Sequence, residues 1–264
     1  MAEKITYALD GAVAVIAFND PATMNACGVD TAAQLGAALE KASGEARAIV
    51  LTGTGRGFCS GANLASPGMS SDAPATARAF DAGAALDTHY NPLVSQLRDL
   101  PVPLVTAVNG AAAGVGCSIA LLGDMIVAAE SAYFLQAFRR IGLVPDGGST
   151  YMLARAVGRA RAMEMMLLGE KIPAGKALDW GLVNRVVPDA QLMDEAMGLA
   201  RSLAEGPTKT LAMIRSLAWS SLDNSWDEQL YQERIHQRIA GRTNDFREGV
   251  GAFLTKRPAR FSGT

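Results

Sequence analysis

The fold class is decided by the segment that runs from Pro103-Leu-Val-Thr-Ala-Val108 through Asn109-Gly110 and Ala111–Ala120 to Met125-Ile-Val-Ala-Ala129. Two short apolar runs flank a stretch that is rich in Ala and Gly. Runs of this length are typical of buried strands, and we expect the small-residue stretch Ala111–Ala120 between them to begin a helix. Strands joined through a helix pair in parallel. The segment therefore predicts an α/β fold with largely parallel sheets.

The same alternation of strand and helix extends toward the N-terminus. Arg47-Ala-Ile-Val-Leu51 is another short buried-strand run, and apolar residues recur at helical spacing from Asp30 to Ala42. Before them, Ile5–Leu9 and Ala12–Phe18 flank Asp10-Gly11, a dipeptide that suits a tight turn. This pattern predicts a β-hairpin at the start of the chain.

The chain after Pro188 has a different pattern. Helical periodicity covers four segments with no strand candidate between them, namely 189–204, 207–219, 224–240 and 243–254. We therefore predict two parts. An α/β core that holds the active site spans residues 1–188, and a C-terminal helical region spans residues 189–264.

Composition argues against several classes of function. The 264 residues include 24 basic and 26 acidic side chains, a net charge of −2, and no basic cluster that would favour nucleic acid. The longest run of apolar and small residues, Ala111–Gly123, is shorter than the ~20 residues that a membrane span needs. No spacing typical of a metal site occurs among His89, His236 and the three cysteines, Cys27, Cys59 and Cys117. Scattered cysteines and a first segment unlike a signal peptide lead us to expect a cytoplasmic protein.

Two glycine-rich loops follow predicted strands. They are Gly53-Thr-Gly55-Arg-Gly57 and Gly110–Gly116, and neither spells a dinucleotide fingerprint or a P-loop. Close packing of a helix on a sheet is one interpretation. The other concerns Gly61-Ala62 and Gly114-Val-Gly116, where small residues leave backbone N–H groups free. Two such groups that converge would form an oxyanion hole.

A single acidic residue, Asp146, lies between Pro145 and Gly147-Gly148, just before an apolar helical segment. Its spacing favours a cap at the start of that helix, where a carboxylate is stabilised. Alternatively, the carboxylate lies in a pocket wall and shuttles protons, which requires burial to raise its pKa toward neutrality.

Four motifs occur in order along the chain. They are Asn19-Asp-Pro-Ala-Thr-Met-Asn-Ala26, Gly57-Phe-Cys-Ser-Gly-Ala-Asn-Leu64, Val108-Asn-Gly-Ala-Ala-Ala-Gly-Val-Gly116 and Gly142-Leu-Val-Pro-Asp-Gly-Gly-Ser-Thr150. Together they resemble the enoyl-CoA hydratase/isomerase (crotonase) family, and the tail Glu248–Pro258 is similar to the C-terminus of that family. The resemblance runs from about Ile5 to Phe261.

The resemblance implies a crotonase-like fold, a spiral of ββα turns followed by helices that mediate trimer assembly. The partners that it implies are an acyl-CoA substrate and further copies of the chain, as a homotrimer or as a hexamer made of two trimers. It implies no separate cofactor, because coenzyme A is part of the substrate.

The resemblance also implies roles for individual residues. The oxyanion hole would take its N–H groups from Ala62 and Val115, with Val115 in place of the usual Gly. Lys256 matches a tail position that can reach a CoA phosphate. The remaining substrate-binding positions are Met24, Ala26, Ser60, Gly61, Asn63, Leu64, Gly114 and Phe138.

Two departures from the family pattern are informative. Hydratases of this family resemble one another in two Glu residues that handle water, and this chain has Ser118 and Phe138 at those positions. Only Asp146 remains as an acid/base. In the family an Asp here resembles the acid/base of dienoyl-CoA isomerases and of ring-epoxide phenylacetyl-CoA isomerases, and Gly142–Thr150 is most similar to the latter. We therefore expect an isomerase that works through an enolate or dienolate.

Phe138 itself has two interpretations. It is either an apolar wall that raises the pKa of Asp146 or an ordinary core residue.

Three alternatives to an isomerase stay open at this stage. One is an enoyl-CoA hydratase that uses Asp146 with another group. A second is an aryl-CoA dehalogenase-like or hydrolase-like enzyme with a nucleophilic Asp146. Such dehalogenases resemble one another in a His near the position of Asn91, and His89 is two residues away. The third is a CoA-binding oligomer without catalysis, which the loss of both Glu residues would suit.

Overall fold

The computed structural model describes residues 3–63 and 81–264, and its largest element is a six-stranded sheet. The strand order is β1-β2-β3-β5-β7-β10, and only β1 and β2 pair in antiparallel fashion. The strands are β1 (Ile5–Asp10), β2 (Val13–Phe18), β3 (Ala48–Gly53), β5 (Leu104–Val108), β7 (Met125–Ala129) and β10 (Arg185–Val187). The predicted hairpin is confirmed, with Ile5 opposite Phe18. The predicted parallel sheet is confirmed as well.

A second, four-stranded sheet has the order β4-β6-β8-β9. Its strands are β4 (Gly57–Cys59), β6 (Ala111–Ala113), β8 (Tyr133–Leu135) and β9 (Ile172–Pro173). The prediction that Ala111–Ala120 begins a helix is wrong for its first three residues. Alanine favours helices intrinsically, but here the three alanines pair between β4 and β8, so tertiary pairing overrides propensity.

The chain passes from the large sheet to the small one three times, from β3 to β4, from β5 to β6 and from β7 to β8. Helices follow these passages, which produces the spiral of ββα turns that the resemblance implies. The edge-to-face contact of Phe18 with Phe58, with ring centres 5.5 Å apart, joins the two sheets in the core.

Six helices of the described residues belong to this spiral. They are α1 (Val29–Glu45), α2 (Asn91–Arg98), α3 (Val115–Ala120), α4 (Ser149–Ala156), α5 (Gly158–Leu168) and α6 (Ala174–Asp179). One π-helical turn, Leu86–Tyr90, runs directly into α2, and short 3₁₀ turns cover Pro21–Thr23, Ala137–Ile141 and Asp189–Gln191. Helix α1 confirms the helical periodicity from Asp30 to Ala42 and buries Leu35 and Leu39.

The last part of the chain is helical, as predicted. It contains α7 (Leu192–Ala204), α8 (Thr208–Ser220), α9 (Trp226–Ala240) and α10 (Asn244–Leu254). Helix α7 packs on the large sheet, where it contacts β3, β5 and β7 and buries Ala196 and Ala200. Every residue of α9 is described, and none of them is buried. The division of the chain at residue 188 stays a prediction.

Among the described residues, no helix has both the length and the apolar character that crossing a membrane requires.

Candidate active site

The two loops that carry Gly61 and Gly114 touch each other at the end of the small sheet. Both glycines have positive φ, +101° and +54°. A Cβ atom on Gly61 would lie 2.9 Å from the carbonyl oxygen of Ala113, and one on Gly114 would lie 3.7 Å from the Cα of Gly61. Only glycine permits this backbone conformation and this approach. The structure thus places Ala62 and Val115, which directly follow these glycines, beside each other.

The N–H groups of Ala62 and Val115 lack an acceptor within the part of the chain that the structure describes. Val115 is the first residue of α3, so its N–H has no helical carbonyl one turn earlier. Ala62 forms an isolated bridge with Cys27, in which the Cys27 N–H donates to the Gly61 carbonyl at 2.7 Å. Within residues 3–63 and 81–264, neither the Ala62 nor the Val115 N–H donates a hydrogen bond. Two such donors side by side can stabilise a developing oxyanion.

Asp146 lies in a loop that packs next to Val115. The loop of Asp146 packs on α3, because a Cβ atom on the next residue, Gly147, would lie 2.9 Å from the Ser118 Cβ and 3.4 Å from the Val115 Cγ2. Gly147 has a φ of +59°, which again favours glycine. Packing of this loop on α3 therefore brings the acid of the fourth motif close to Val115.

The carboxyl group of Asp146 is half-buried and unpaired. Burial raises its pKa to about 6. Its Oδ1 atom is inaccessible to solvent and has no hydrogen-bond partner among the described residues. A buried polar atom without a partner is rare and is a feature of functional sites.

The interpretation of Asp146 as a helix cap is wrong. Helix α4 begins at Ser149, its N-cap is Gly148, and no side chain caps it. The Asp146 group that accepts the Ser149 N–H, at 3.1 Å, is its backbone carbonyl. Because two glycines separate Asp146 from the helix, its carboxylate stays available for other chemistry.

Ser118 and Phe138 are both buried close to these loops. The Ser118 hydroxyl donates to the Asp146 carbonyl at 3.0 Å. The Phe138 ring, in the 3₁₀ turn after β8, lies beside Gly114, since a Cβ atom on Gly114 would be 3.8 Å from its ring edge. Neither side chain ionises near neutral pH, so among the described residues at this point Asp146 is the candidate acid/base.

The predicted CoA-binding segments lie side by side. The Ser60 N–H donates to the Met24 carbonyl at 3.1 Å, and the Ser60 hydroxyl donates to the Thr23 carbonyl at 3.0 Å. The Ala26 N–H donates to the Thr23 hydroxyl. The structure therefore brings Met24 and Ala26 next to Ser60 and the residues that follow it. Asn63 is half-buried, and Leu64 lies outside the described residues.

Asn25 organises this segment, and the sequence analysis did not single it out. Met24 and Asn25 both have positive φ, which strains non-glycine residues. The Asn25 side chain accepts the Asp20 N–H at 2.8 Å and donates to the carbonyls of Thr54 and Gly57 at 2.9 and 2.7 Å. These three bonds hold the strained turn against the strand that leads to Ala62. The signal in the sequence was the Asn itself, because Asn tolerates positive φ.

Tyr90 is a second residue whose contact the sequence could not show. It is buried at the end of the π-helical turn, and its hydroxyl donates to the Cys27 carbonyl at 2.7 Å. Burial raises the pKa of Tyr90, and the negative charges of Cys27, Asp146 and Cys59 raise it further. The hydroxyl therefore stays neutral and holds the Cys27 main chain, which bridges to Ala62. The neighbouring His89 instead bonds Thr88.

Lys256 is the one predicted site residue of the described chain that the structure does not bring to these loops. It follows α10, in a tail whose Phe261 carbonyl accepts a hydrogen bond from Arg47 at 3.1 Å. Arg47 precedes β3, whereas Ser60 and Ala62 come after it. The tail therefore docks toward the opposite end of that strand, and the role of Lys256 stays a prediction.

A cavity of about 800 Å³ adjoins the Asp146 loop. It lies between α2, α4 and α8, and Gly147 and Gly148 form part of its wall. Apolar side chains such as Val94, Met152 and Trp219 line it. Its size suits a small organic group. Among the described residues, no group of three or more His, Cys, Asp or Glu side chains could hold a metal ion.

Comparisons with known proteins identify the family of this chain. Residues 9–264 match the sequence profile of a family described as enoyl-CoA hydratase/isomerase. The chain is 43% identical over 265 residues to the 1,2-epoxyphenylacetyl-CoA isomerase of Escherichia coli strain K12, with all of both chains covered. It is 44% identical over 259 residues to a protein of Rhodobacter capsulatus named "probable enoyl-CoA hydratase", with 98% of each chain covered.

Solved structures show the same fold. An enoyl-CoA hydratase from Polaromonas sp. JS666 superposes with a TM-score of 0.87 at 33% identity, over 97% of this chain and 99% of the other. Another, from Geobacillus kaustophilus HTA426 and described as an enoyl-CoA hydratase subunit, superposes with a TM-score of 0.89 at 33% identity, over 99% of each chain.

Proposed function

The chain belongs to the enoyl-CoA hydratase/isomerase family, and from that premise we propose that it is an acyl-CoA thioester isomerase with Asp146 as its acid/base. One observation carries the proposal. The carboxylate beside the oxyanion loops is half-buried, has an unpaired Oδ1 atom and has a pKa of about 6. Ser118 and Phe138 stand where hydratases of the family have acids, which leaves one proton-transfer group at the site.

One carboxylate is sufficient for an isomerisation. The Asp146 carboxylate removes a proton from a carbon beside the double bond, and the electrons move to the thioester oxygen to form an enolate or dienolate. The N–H groups of Ala62 and Val115 donate to that oxygen, and each contributes ~3 kcal/mol to the stability of the transition state. The Asp146 carboxylic acid then returns the same proton two carbons away. A pKa of about 6 suits both steps near neutral pH.

The acyl-CoA substrate occupies two regions in this proposal. Met24, Ala26, Ser60, Gly61, Asn63 and Leu64 contact the CoA part, and the cavity beside Gly147 accepts the acyl group. Gly114 and Phe138 flank the reacting carbons. Lys256 contacts a CoA phosphate, in this or a neighbouring subunit. Proton transfer leaves the oxidation state unchanged, so the reaction requires no cofactor beyond the CoA of the substrate.

We expect the enzyme to assemble as a homotrimer, or as a hexamer of two trimers. A closed ring needs two different, complementary surfaces on each subunit. Large apolar side chains are exposed in two parts of the chain. One set is Ile141, Leu143, Val144, Leu167 and Leu168; the other set, on α9 and α10, is Trp226, Tyr231, Phe246, Phe253 and Leu254. Exposed apolar side chains of this size are typical of subunit interfaces when they cluster.

A cytoplasmic location is part of the same proposal. Cys27, Cys59 and Cys117 are all free thiols, which suits a reducing compartment.

The decisive experiment is Asp146→Asn in an assay for conversion of a 3-enoyl-CoA to the conjugated 2-enoyl-CoA, followed by ultraviolet absorbance. Loss of a general base lowers the rate by 10²- to 10⁴-fold, so we expect about 10³-fold, with CoA-ester binding retained. Asp179→Asn, at an exposed aspartate of α6, is the matched control and should turn over like the natural protein. Isomerisation that survives in Asp146→Asn would overturn the role of this residue.

The second candidate is an enoyl-CoA hydratase, which the name of the Rhodobacter capsulatus relative favours. The two candidates differ in whether water enters the product. Water addition to crotonyl-CoA, measured with the same preparation, separates them. Hydration faster than isomerisation of a 3-enoyl-CoA would replace the isomerase proposal with a hydratase.

A further inference from the structure

Two buried serine hydroxyls converge on the backbone of Asp146. The Ser118 hydroxyl donates to the Asp146 carbonyl at 3.0 Å, and the Ser149 hydroxyl donates to the same oxygen at 2.5 Å. The two hydroxyl oxygens lie 3.0 Å apart, within hydrogen-bond distance of each other. Both serines are fully buried. Side-chain hydroxyls that are buried in this way have no solvent to compete with, so the contacts persist.

These serines connect the two helices that build the site. Ser118 lies on α3, one turn after Val115, and its N–H donates to the Gly114 carbonyl at 3.2 Å. Ser149 is the first residue of α4, which follows the Asp146 loop. The shared carbonyl therefore links the helix that starts at the oxyanion donor to the helix that starts after the base.

The carboxylate of Asp146 needs this support from its main chain. The Oδ1 atom accepts no hydrogen bond from the described residues, so no side-chain contact of that atom orients it. Gly147 and Gly148, which follow at positive φ, give the loop conformational freedom in the absence of other restraints. What restrains the loop is its packing on Ser118 and the hydrogen bonds to the Asp146 carbonyl.

We infer that Ser118 and Ser149 are positioning residues for proton transfer, because their hydroxyls hold the Asp146 main chain at a constant place relative to the Val115 N–H. The inference rests on the proposed function, in which Asp146 is the base. It assigns a role to the side chain that stands where hydratases of the family have an acid. In this chain that side chain orients the remaining acid.

The clamp, meaning Ser118 and Ser149 together with the Asp146 carbonyl, affects turnover more than binding. The predicted CoA contacts belong to residues 22–26 and 60–64, which neither serine touches in the described hydrogen bonds. Misplacement of a catalytic group by about 1 Å costs up to 10²-fold. We therefore expect kcat to fall 10- to 100-fold in Ser118→Ala and in Ser149→Ala, with KM within about twofold.

The losses of kcat in the two single serine variants should not add up in the double variant. Both hydroxyls bind one oxygen, so residues in such a network do not contribute independently. The double variant should lose less than the product of the two single losses. Ser43→Ala is the matched control, since the Ser43 hydroxyl also bonds a backbone carbonyl, that of Leu39, but within α1. It should leave kcat unchanged.

A second measurement does not depend on turnover. Loosening the loop admits water to the carboxyl group, so the pKa of Asp146 should fall from about 6 toward the ordinary aspartate value of about 4. Carbon-13 NMR of aspartate carboxyls reports this titration, and absence of the signal in Asp146→Asn assigns it. Assignment matters because other ionisable groups lie nearby. Tyr90 is close enough for the charge of Asp146 to raise its pKa, and the cavity is lined by Arg98, Asp99, Tyr151, Arg215, Asp223 and His236.

The outcomes separate the clamp from the proposed function. If the natural protein isomerises, Asp146→Asn is inactive, and both serine variants keep kcat and the pKa of Asp146, the clamp is overturned while the function stands. If the natural protein does not isomerise any 3-enoyl-CoA, the function is overturned, and the NMR titration still decides the clamp. Melting temperatures close to that of Ser43→Ala show that the serine variants are folded. A lowered pKa of Asp146 in such folded variants supports the clamp.

Discussion

Asp124 and Asp146 are both partly buried aspartates, and their surroundings differ. Asp124, before β7, accepts the Leu104 N–H at 2.7 Å and the Arg215 guanidinium at 2.5 Å. Asp146, before α4, has an Oδ1 atom with no partner among the described residues. Burial raises the pKa of both, and at Asp124 the Arg215 charge opposes that rise. A carboxylate that is ion-paired holds the fold together, whereas one without a counterion can take and return a proton.

The paired aspartate fastens the C-terminal helices to the core. Arg215, on α8, is buried and also donates to the carbonyls of Leu97 and Leu100 at the end of α2. Removing one partner of a buried ion pair leaves the other charge unsatisfied. The comparison therefore predicts opposite results when the two aspartates are disturbed.

The largest expected effect is on stability. Arg215→Ala should lower the free energy of unfolding by about 3–5 kcal/mol, because Asp124 stays buried without its counterion. Chemical denaturation measures the loss. Arg201→Ala, which breaks the exposed pair with Asp10, is the control and should cost less than about 1 kcal/mol. Equal losses in the two variants would show that Asp124 is as well solvated as a surface acid.

The next effect is the pH dependence of the rate. Asp146 acts as a base only when it is ionised, so kcat/KM should be level above pH 7 and fall tenfold per pH unit below about 6. Initial rates on a 3-enoyl-CoA between pH 4.5 and 8, at constant ionic strength, provide the profile. If kcat/KM instead begins to fall only near pH 4, the carboxyl group is not desolvated in the working enzyme.

Tyr90→Phe tests whether the bond to Cys27 supports the neighbouring Ala62, a proposed oxyanion donor. The change removes the donor to the buried Cys27 carbonyl, which should cost about 1–2 kcal/mol of stability. Because Cys27 bridges to Ala62, we also expect a several-fold drop in kcat. Thermal unfolding and steady-state rates measure both. Tyr7→Phe, which removes an exposed hydroxyl bond to Glu45, is the control. A stability loss without any change in kcat would separate this contact from the oxyanion donor.

The smallest effect has the opposite sign. The pKa of Asp146 is higher in the folded chain than the ordinary aspartate value of about 4, so its ionisation destabilises the fold. Stability is complete below pH 4 and decreases as the pH rises from 4 through 6. Asp146→Asn should therefore be more stable at pH 7, by about 1 kcal/mol, while it loses activity. Denaturation of both proteins at pH 4 and pH 7 tests this, since the gain should vanish at the lower pH.

Local pattern predicted much of the fold. The hairpin of β1 and β2, helix α1 and the four C-terminal helices each carry a periodicity that is complete within one element. The helix prediction was wrong for Ala111–Ala113. The strand conformation of these residues depends on pairing with β4 and β8, which are distant along the chain. The small sheet as a whole has strands of two or three residues, too short for any periodicity to show.

The site also has features that the sequence predicted and features that only the fold shows. The motifs around Ala62, Val115 and Asp146 identified the groups that can do chemistry, because residue types and glycine positions are visible in one dimension. The contacts of Asn25, Tyr90 and Ser149 were not visible, since each partner lies on another part of the fold or depends on a turn geometry.

By itself, the sequence determined which residue types are present. These are Asp146 in the motif Gly142–Thr150, two glycine-rich loops whose backbone N–H groups can lack partners, and no acid at positions 118 and 138. Only the tertiary structure decided which aspartate is paired and which is free. Asp124 and Asp146 each border an apolar segment, and the sequence alone favoured a capping role for Asp146. Desolvation and ion pairing arise from groups that are distant along the chain, such as Arg215 on α8 and Ser118 on α3. A carboxylate acquires its pKa from those neighbours, so its function is settled only when the chain has folded around it.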